Sequence, residues 1–196
     1  MRYKTLHIEF MPFPKRLSRV IKVREDLDLF TLGVVLVVAF NGTFEYPFVF
    51  QTRRRDYLSE YFSQLDADTQ VHMTNYHLKD LGSNFIFMYD TADSWIFKIR
   101  VTNTEEIRSR KHGFIIDGVG QGIWENELDL LTRYLNGEIR GDIRQSHEEY
   151  KPSHLWERKV RPLSDFDLVL DIQSLNENFE NRIVESLINL EEEGVF

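Results

Sequence analysis

FIFMYDTADSWIFKIRV, residues 85–101, decides the fold of this chain. Phe85, Phe87 and Tyr89 fall on one side of its first half, and Trp95, Phe97, Ile99 and Val101 on one side of its second. That period of two is what a pair of half-buried strands requires. The five residues 90–94 between them are of hairpin length, and aspartate and serine favour turns because their oxygens accept nearby backbone N–H groups. The stretch therefore predicts an antiparallel hairpin with one aromatic face turned inward, and such a face has to be covered by another layer.

Working outward toward the amino terminus, residues 3–10 alternate, with Leu6, Ile8 and Phe10 opposite Thr5, His7 and Glu9. Pro12, Phe13 and Pro14 force a turn. Residues 19–23 form a second alternating segment in which Val20 is out of phase with Ile21, so a further hairpin is expected. Asp28 is placed to cap a helix starting at Leu29, where Leu29, Leu32, Val35, Leu36 and Ala39 have helical spacing. The valines of this run prefer strand, so propensity and periodicity disagree. Asn41 and Gly42 end it. The run is too short for a bilayer crossing, which takes about 20 residues, and no membrane span is expected. Residues 46–51 read as a strand with Pro47 near its start, residues 56–65 as a short helix joining Tyr57, Tyr61 and Leu65, and the polar stretch to His77 as loop.

Toward the carboxy terminus, residues 102–122 read as irregular and end in the glycine-rich DGVGQG, residues 117–122. A helix should follow, with Trp124, Leu128, Leu131 and Leu135 as its apolar stripe, Glu125, Glu127 and Asp129 near its positive end, and Gly137 to terminate it. Residues 138–162 are polar and receive no assignment. Asp171 opens a final amphipathic helix along Ile172, Leu175, Phe179, Ile183, Leu187 and Leu190. With no internal repeat and no low-complexity linker, the expectation is one α+β domain over residues 1–196, an antiparallel or mixed sheet built from hairpins and covered by helices, the last of them long.

Composition narrows the chemistry. A chain of 196 residues buries an ordinary core without staples. The absence of cysteine removes disulfides, thiolate zinc sites, iron–sulfur clusters and cysteine nucleophiles, and it suits a reducing compartment. The first residues lack the apolar stretch of a secretory signal, so a cytoplasmic location is expected. A net charge of −8 repels a phosphate backbone at long range, although residues 53–55, 108–111 and 158–161 are basic clusters. Such clusters are more often solvated faces than nucleic-acid sites.

Tyr89, Asp90, Asp93, Ser94, Trp95 and Ile99 match a Tyr-Asp-x-Gly-Asp-x-Trp hairpin, with Thr91 and Ala92 in place of Phe-Gly and Phe97 where a histidine is common. Together with the order of elements, this resembles the plasmid pRi ORF-three-like family, also described as transposon-passenger TnpR-like proteins. Residues 117–122 resemble that family's glycine-rich loop, and Phe166 and Asp167 its segment before the last helix. The family's Cys-Pro-Pro-Glu-Asp segment is missing. The resemblance implies a fold and a mobile-element setting, without a biochemical activity.

Three sets of residues are candidates for chemistry. Asp90 and Asp93, three apart across a turn, could share a cation or raise one another's pKa, with Asp117 or His112 as further ligands if the glycine-rich loop folds over the hairpin; the alternative is that both aspartates serve the turn alone. Trp95 and Trp124 could wall an apolar pocket with the Tyr89 hydroxyl for orientation, or all three could be core. Arg53, Arg54 and Arg55 could contact phosphate or simply be solvated. The 117–120 segment lacks the lysine of a P-loop, and the six histidines, His72, His77, His147 and His154 among them, have no zincin spacing. No cofactor or metal is expected. The leading reading is a non-enzymatic binding or interaction module with a protein partner; a mobile-element nucleic-acid accessory role comes second, and a hydrolase or metal-assisted enzyme using Asp90, Asp93 and Asp117 third.

Overall fold

A computed structural model of the chain describes residues 1–44, 46–59, 69–91, 93–139, 166 and 169–192. Among them are eight strands in one mixed sheet, β1 (Arg2–Phe10), β2 (Ser18–Arg24), β3 (Phe48–Gln51), β4 (Asp56–Leu58), β5 (Gln70–His72), β6 (Asn84–Tyr89), β7 (Trp95–Glu106) and β8 (Gly113–Val119). Their order across the sheet is β5-β4-β3-β6-β7-β1-β2-β8. Every pairing is antiparallel except that of β4 with β5. Three helices join them, α1 (Leu29–Ala39), α2 (Leu128–Leu135) and α3 (Ile172–Glu192), so the α+β architecture with a long final helix is what the chain adopts.

The 85–101 hairpin stands at the centre of the sheet. Its register sets Tyr89 opposite Trp95 and Phe87 opposite Phe97, all four fully buried. Residues of β1 continue the same rows, with Phe10 opposite Phe97 and Ile8 opposite Ile99. The result is an aromatic inner face, in which Phe97 lies 5.5 Å from Phe10 and 6.2 Å from Phe87 between ring centroids.

Helix α1 covers that face. Apart from Thr31 all its residues are buried, which removes the conflict between valine propensity and helical spacing, because burial of each Val or Leu contributes about 1.5–3 kcal/mol against propensity differences of a few tenths. Asp28 caps it as expected, its carboxylate accepting from Thr31 N at 2.7 Å and from the Thr31 hydroxyl at 2.8 Å. Asn41, in the left-handed region with φ 57, ends it. Phe40, just past the helix, stacks 4.4 Å from Phe97, and Phe30 lies 5.7 Å from Phe48.

Helix α3, capped by Asp171 through Ser174 N at 3.0 Å, lies along β8 and α1 and buries Phe179, Ile183, Ser186 and Leu190. It also closes the outer edge of β8. The Asn176 amide accepts from Ile115 N at 2.9 Å and donates to Ile115 O at 2.7 Å, and Glu180 accepts from His112 N at 2.9 Å. A side-chain amide here stands where a ninth strand would pair, one of the ways proteins blunt an edge.

Four sequence expectations need correction. The polar stretch to His77, read as loop, carries strand β5, paired parallel to β4, and a 3-10 turn at Met73–Asn75. The described part of residues 56–65 is strand β4 rather than helix, because a tight turn with Thr52 N donating to Arg55 O at 3.0 Å folds it back onto β3; residues 60–68 lie outside the described set. Residues 102–122 are mostly strand. β7 runs on to Glu106 and β8 follows, hidden from periodicity by bulges at Thr5/Leu6 and Val20/Ile21 that shift the alternation and by the exposed threonines of β7. The helix after the glycine-rich loop begins at Leu128, beyond Trp124 and Glu125, since Asn126 with φ 60 cannot sit in a right-handed helix. Its far end is as expected, Gly137 having φ 75. Residues 140–165, with His147 and His154, are outside the described set.

Gly33 gives a test of the layer. A Cβ there would stand inside van der Waals contact of three ring atoms of Phe48, itself buried between α1 and the sheet. Helix propensity alone would make Gly33→Ala stabilising by up to about 1 kcal/mol, whereas overpacking costs about 1–3 kcal/mol. The second term wins, and urea denaturation of Gly33→Ala is expected to show net destabilisation of about 1–2 kcal/mol; a gain in stability would mean that Phe48 does not rest on the helix.

Candidate functional site

The hairpin bend closes on itself. Asp90 is 1% exposed and adopts φ 56, a region that aspartate tolerates better than most residues. Its carboxylate accepts from Asp93 N at 3.2 Å, its carbonyl accepts from Ser94 N at 2.6 Å, and its own N–H donates to Pro47 O at 3.1 Å. Asp93 is exposed. These contacts are those of a turn-forming aspartate.

Beside the bend, Tyr89 meets a residue expected near the positive end of the helix that follows the glycine-rich loop. Glu125 is 7% exposed, and its Oε1 accepts from the Tyr89 hydroxyl at 2.8 Å and from Thr43 N at 2.8 Å. The neighbouring Tyr46 hydroxyl donates to Asn126 Oδ1. One buried carboxylate thus ties the end of β6, the chain leaving α1 and the loop before α2. Trp95, fully buried, packs 5.2 Å from Phe10, and Trp124, half-buried, meets Phe166 edge-on at 6.1 Å. Tyr89, Trp95 and Trp124 are therefore brought to one end of the molecule, with Tyr89 and Trp95 directly cross-strand and Trp124 next in sequence to the glutamate that Tyr89 binds.

Asp117 is elsewhere. It is exposed on β8 opposite Val20, and its carboxylate accepts from Gly118 N at 2.8 Å. Through Val20 and His7 its row reaches Arg100 on β7, five residues from Trp95 and three strands across, which separates Asp117 from the bend by roughly 20 Å. The glycine-rich loop instead wraps the end of α1, where Ile123 N donates to Phe40 O at 2.6 Å and the Asn41 amide donates to Gln121 O at 2.9 Å. His112 faces Glu180 at 2.8 Å. Among the described residues, no group of three or more histidine, aspartate or glutamate side chains could hold a metal ion.

Arg53, Arg54 and Arg55 are exposed on the β3–β4 turn, at the opposite end of the sheet from Asp90, with Arg55 Nη1 donating to the Tyr76 hydroxyl at 3.4 Å. The outward face of the central strands carries Lys98 and Arg100 on β7 and Glu9 on β1, all exposed, with His7 on β1 and Val20 and Lys22 on the neighbouring β2 half-buried. Glu125 was legible only as an acidic residue before an apolar helix, and nothing in its spacing signals burial.

A sequence profile of the plasmid pRiA4b ORF-3-like proteins matches residues 2–169. The chain belongs to the plasmid pRiA4b ORF-3-like protein family. This agrees with the resemblance read from the 89–99 motif. A protein of unknown function, MM3350 from Methanosarcina mazei Go1, shares the fold with a TM-score of 0.60 at 14% identity, over 69% of this chain and 82% of that one. Glutamate decarboxylase beta of Listeria innocua and that of Listeria monocytogenes are each 25% identical over 126 residues, 60% of this chain. The match spans only 25% of those decarboxylases. No helix among the described residues is long and apolar enough to cross a membrane.

The Tyr89–Glu125 contact is testable as a pair. A hydrogen bond to a charged group contributes about 1.5–3 kcal/mol. Tyr89→Phe and Glu125→Gln should each destabilise, and a double-mutant cycle by chemical denaturation should give a coupling of at least about 0.5 kcal/mol; additivity would mean the two do not interact. Asp90→Asn, which keeps the acceptor and the tolerance for positive φ, should stay within about 1 kcal/mol of the parent, while Asp90→Val should cost clearly more.

Proposed function

We propose that this member of the plasmid pRiA4b ORF-3-like family is a non-enzymatic binding or interaction module acting in the cytoplasm. The supporting observation is the outward sheet face, where Glu9, Lys98 and Arg100 stand exposed in fixed register on the rigid central strands β1 and β7. Charges of both signs held by a packed scaffold suit recognition, because complementary potentials set partner choice and register. The carboxylates offered for catalysis do not converge, Asp117 standing roughly 20 Å from the bend that carries Asp90 and Asp93. Asp90 accepts from Asp93 N, Asp117 from Gly118 N, and Glu125 from Tyr89 and Thr43. The decarboxylase name belongs to chains of which the matched stretch is a quarter.

A second reading, a mobile-element accessory protein that contacts nucleic acid, is favoured by Arg53, Arg54 and Arg55 lying exposed at one hairpin tip. It requires binding that weakens steeply with salt.

Two measurements separate these readings from each other and from catalysis. A broad screen of ester, phosphoester, amide and glycoside substrates with a panel of divalent metals is expected to give no turnover above buffer; turnover abolished by Asp90→Asn or Asp117→Asn would replace the module reading with a hydrolase. Fluorescence anisotropy with labelled DNA and RNA at low salt is expected to show no binding. Salt-sensitive binding lost on replacing all three arginines 53–55 by glutamine would favour the accessory role instead.

A further inference from the structure

The outer face of the sheet, turned away from α1, carries a short apolar row. Met11, just past β1, donates its N–H to Ile96 O at 2.9 Å, and Ile96 on β7 stands opposite Met88 on β6. Ile86, two residues before Met88, adds a fourth apolar side chain to the same face. Met11 is 51% exposed and the other three are half-buried. The row runs on into Val49 on β3 and Leu58 on β4, both buried, so its open part lies over the end of β1, β7 and β6.

An antiparallel sheet with one solvated face alternates apolar-in with polar-out. β6 does not. Its residues 85–89 are apolar throughout, the composition of a strand covered on both faces. Charge borders the row on one side. Lys98 lies opposite Glu9 on β1 and Ile86 on β6, and Arg100 lies opposite His7 and Asn84, so no carboxylate faces Arg100 from either neighbouring strand. Both cations are exposed.

Building on the interaction-module reading, we propose that this patch docks an acidic amphipathic helix of a partner protein. Successive members of the row sit one strand apart, about 4.8 Å, close to the rise of one helical turn, about 5.4 Å. A helix laid across the strands therefore sets apolar residues at i, i+4 and i+7 on Met88, Ile96 and Met11. Lys98 and Arg100 stand about 7 and 13 Å along β7 from Ile96, on one flank of that helix, where its carboxylates pair with them. The two methionines, unbranched and adaptable, let the face conform to it. An extended strand fits less well, since a sheet face offers no backbone groups to pair with.

The test is an NMR titration of the isotope-labelled full chain with a synthetic helix carrying leucine at that spacing and glutamate on its flanks. Amide shifts are expected at Ile86, Met88, Ile96, Lys98 and Arg100, and affinity should fall with added salt. Lys98→Glu with Arg100→Glu, both at exposed positions, should weaken binding about tenfold, and Met11→Ser should weaken it without changing its salt dependence. Equal binding of a counterpart peptide with lysine for glutamate, shifts confined to other surfaces, or no shifts at millimolar peptide would overturn the proposal. So would self-association lost in the charge-reversed variant, which would make a second copy the occupant, or nucleic-acid binding lost in it, which would give the cations to phosphate. Turnover in the substrate screen, by contrast, removes the interaction-module reading itself, so the two failures are told apart.

Discussion

The packing of Phe97 between the sheet and the end of α1 is the contact on which the rest of this structure depends. Phe40 stacks on it from the helix side at 4.4 Å, while Phe10 and Phe87 flank it along the sheet. Aromatic pairs of this kind contribute about 0.5–1.5 kcal/mol each beyond the area they bury. They also fix register, because a slip of one residue would turn Phe97 and Trp95 to solvent and Lys98 into the core. With the register set, the bend at Asp90, the row reaching Arg19 and the exposed ladder of Lys98 and Arg100 all take their places.

Polar groups inside this layer are arranged by the same logic. The end of α1 is where backbone carbonyls lack helical partners, and it is there that Arg19, the glycine-rich loop and Asn41 converge to supply donors. Glu125 serves the opposite need, accepting from a tyrosine hydroxyl and a loop amide. Such contacts hold loops in one arrangement at the cost of desolvating a polar group.

Elements whose burial is one-sided were legible in the chain, including β1, the 85–101 hairpin and the amphipathic α3, and α1, buried on all sides but for Thr31, was legible from its cap and helical spacing. Each combines a clean period with a boundary residue, Asp28 and Asp171 at helix starts and the aspartate-rich bend in the hairpin. What the residues concealed has physical causes. Two bulges shift the alternation of β1 and β2 relative to their neighbours, and the far half of β7 projects threonines and an asparagine on an open face, so residues 102–122 show no pattern although most of them are strand. β4 is three residues long, too short for any period to register.

The candidate residues divided along similar lines. Tyr89 and Trp95 were readable as neighbours because they share a hairpin, but the partner of Tyr89 lies 36 positions away, and no local signal marks Glu125 or Arg19 as buried. Long-range pairing alone decides those. The most direct test of the account is therefore native-state hydrogen exchange along β6 and β7. The aromatic layer predicts that the amides of Phe87, Phe97 and Ile99 exchange only through global unfolding, with free energies matching that from denaturant; exchange of these amides through a lower-energy local opening, while α1 stays protected, would contradict it.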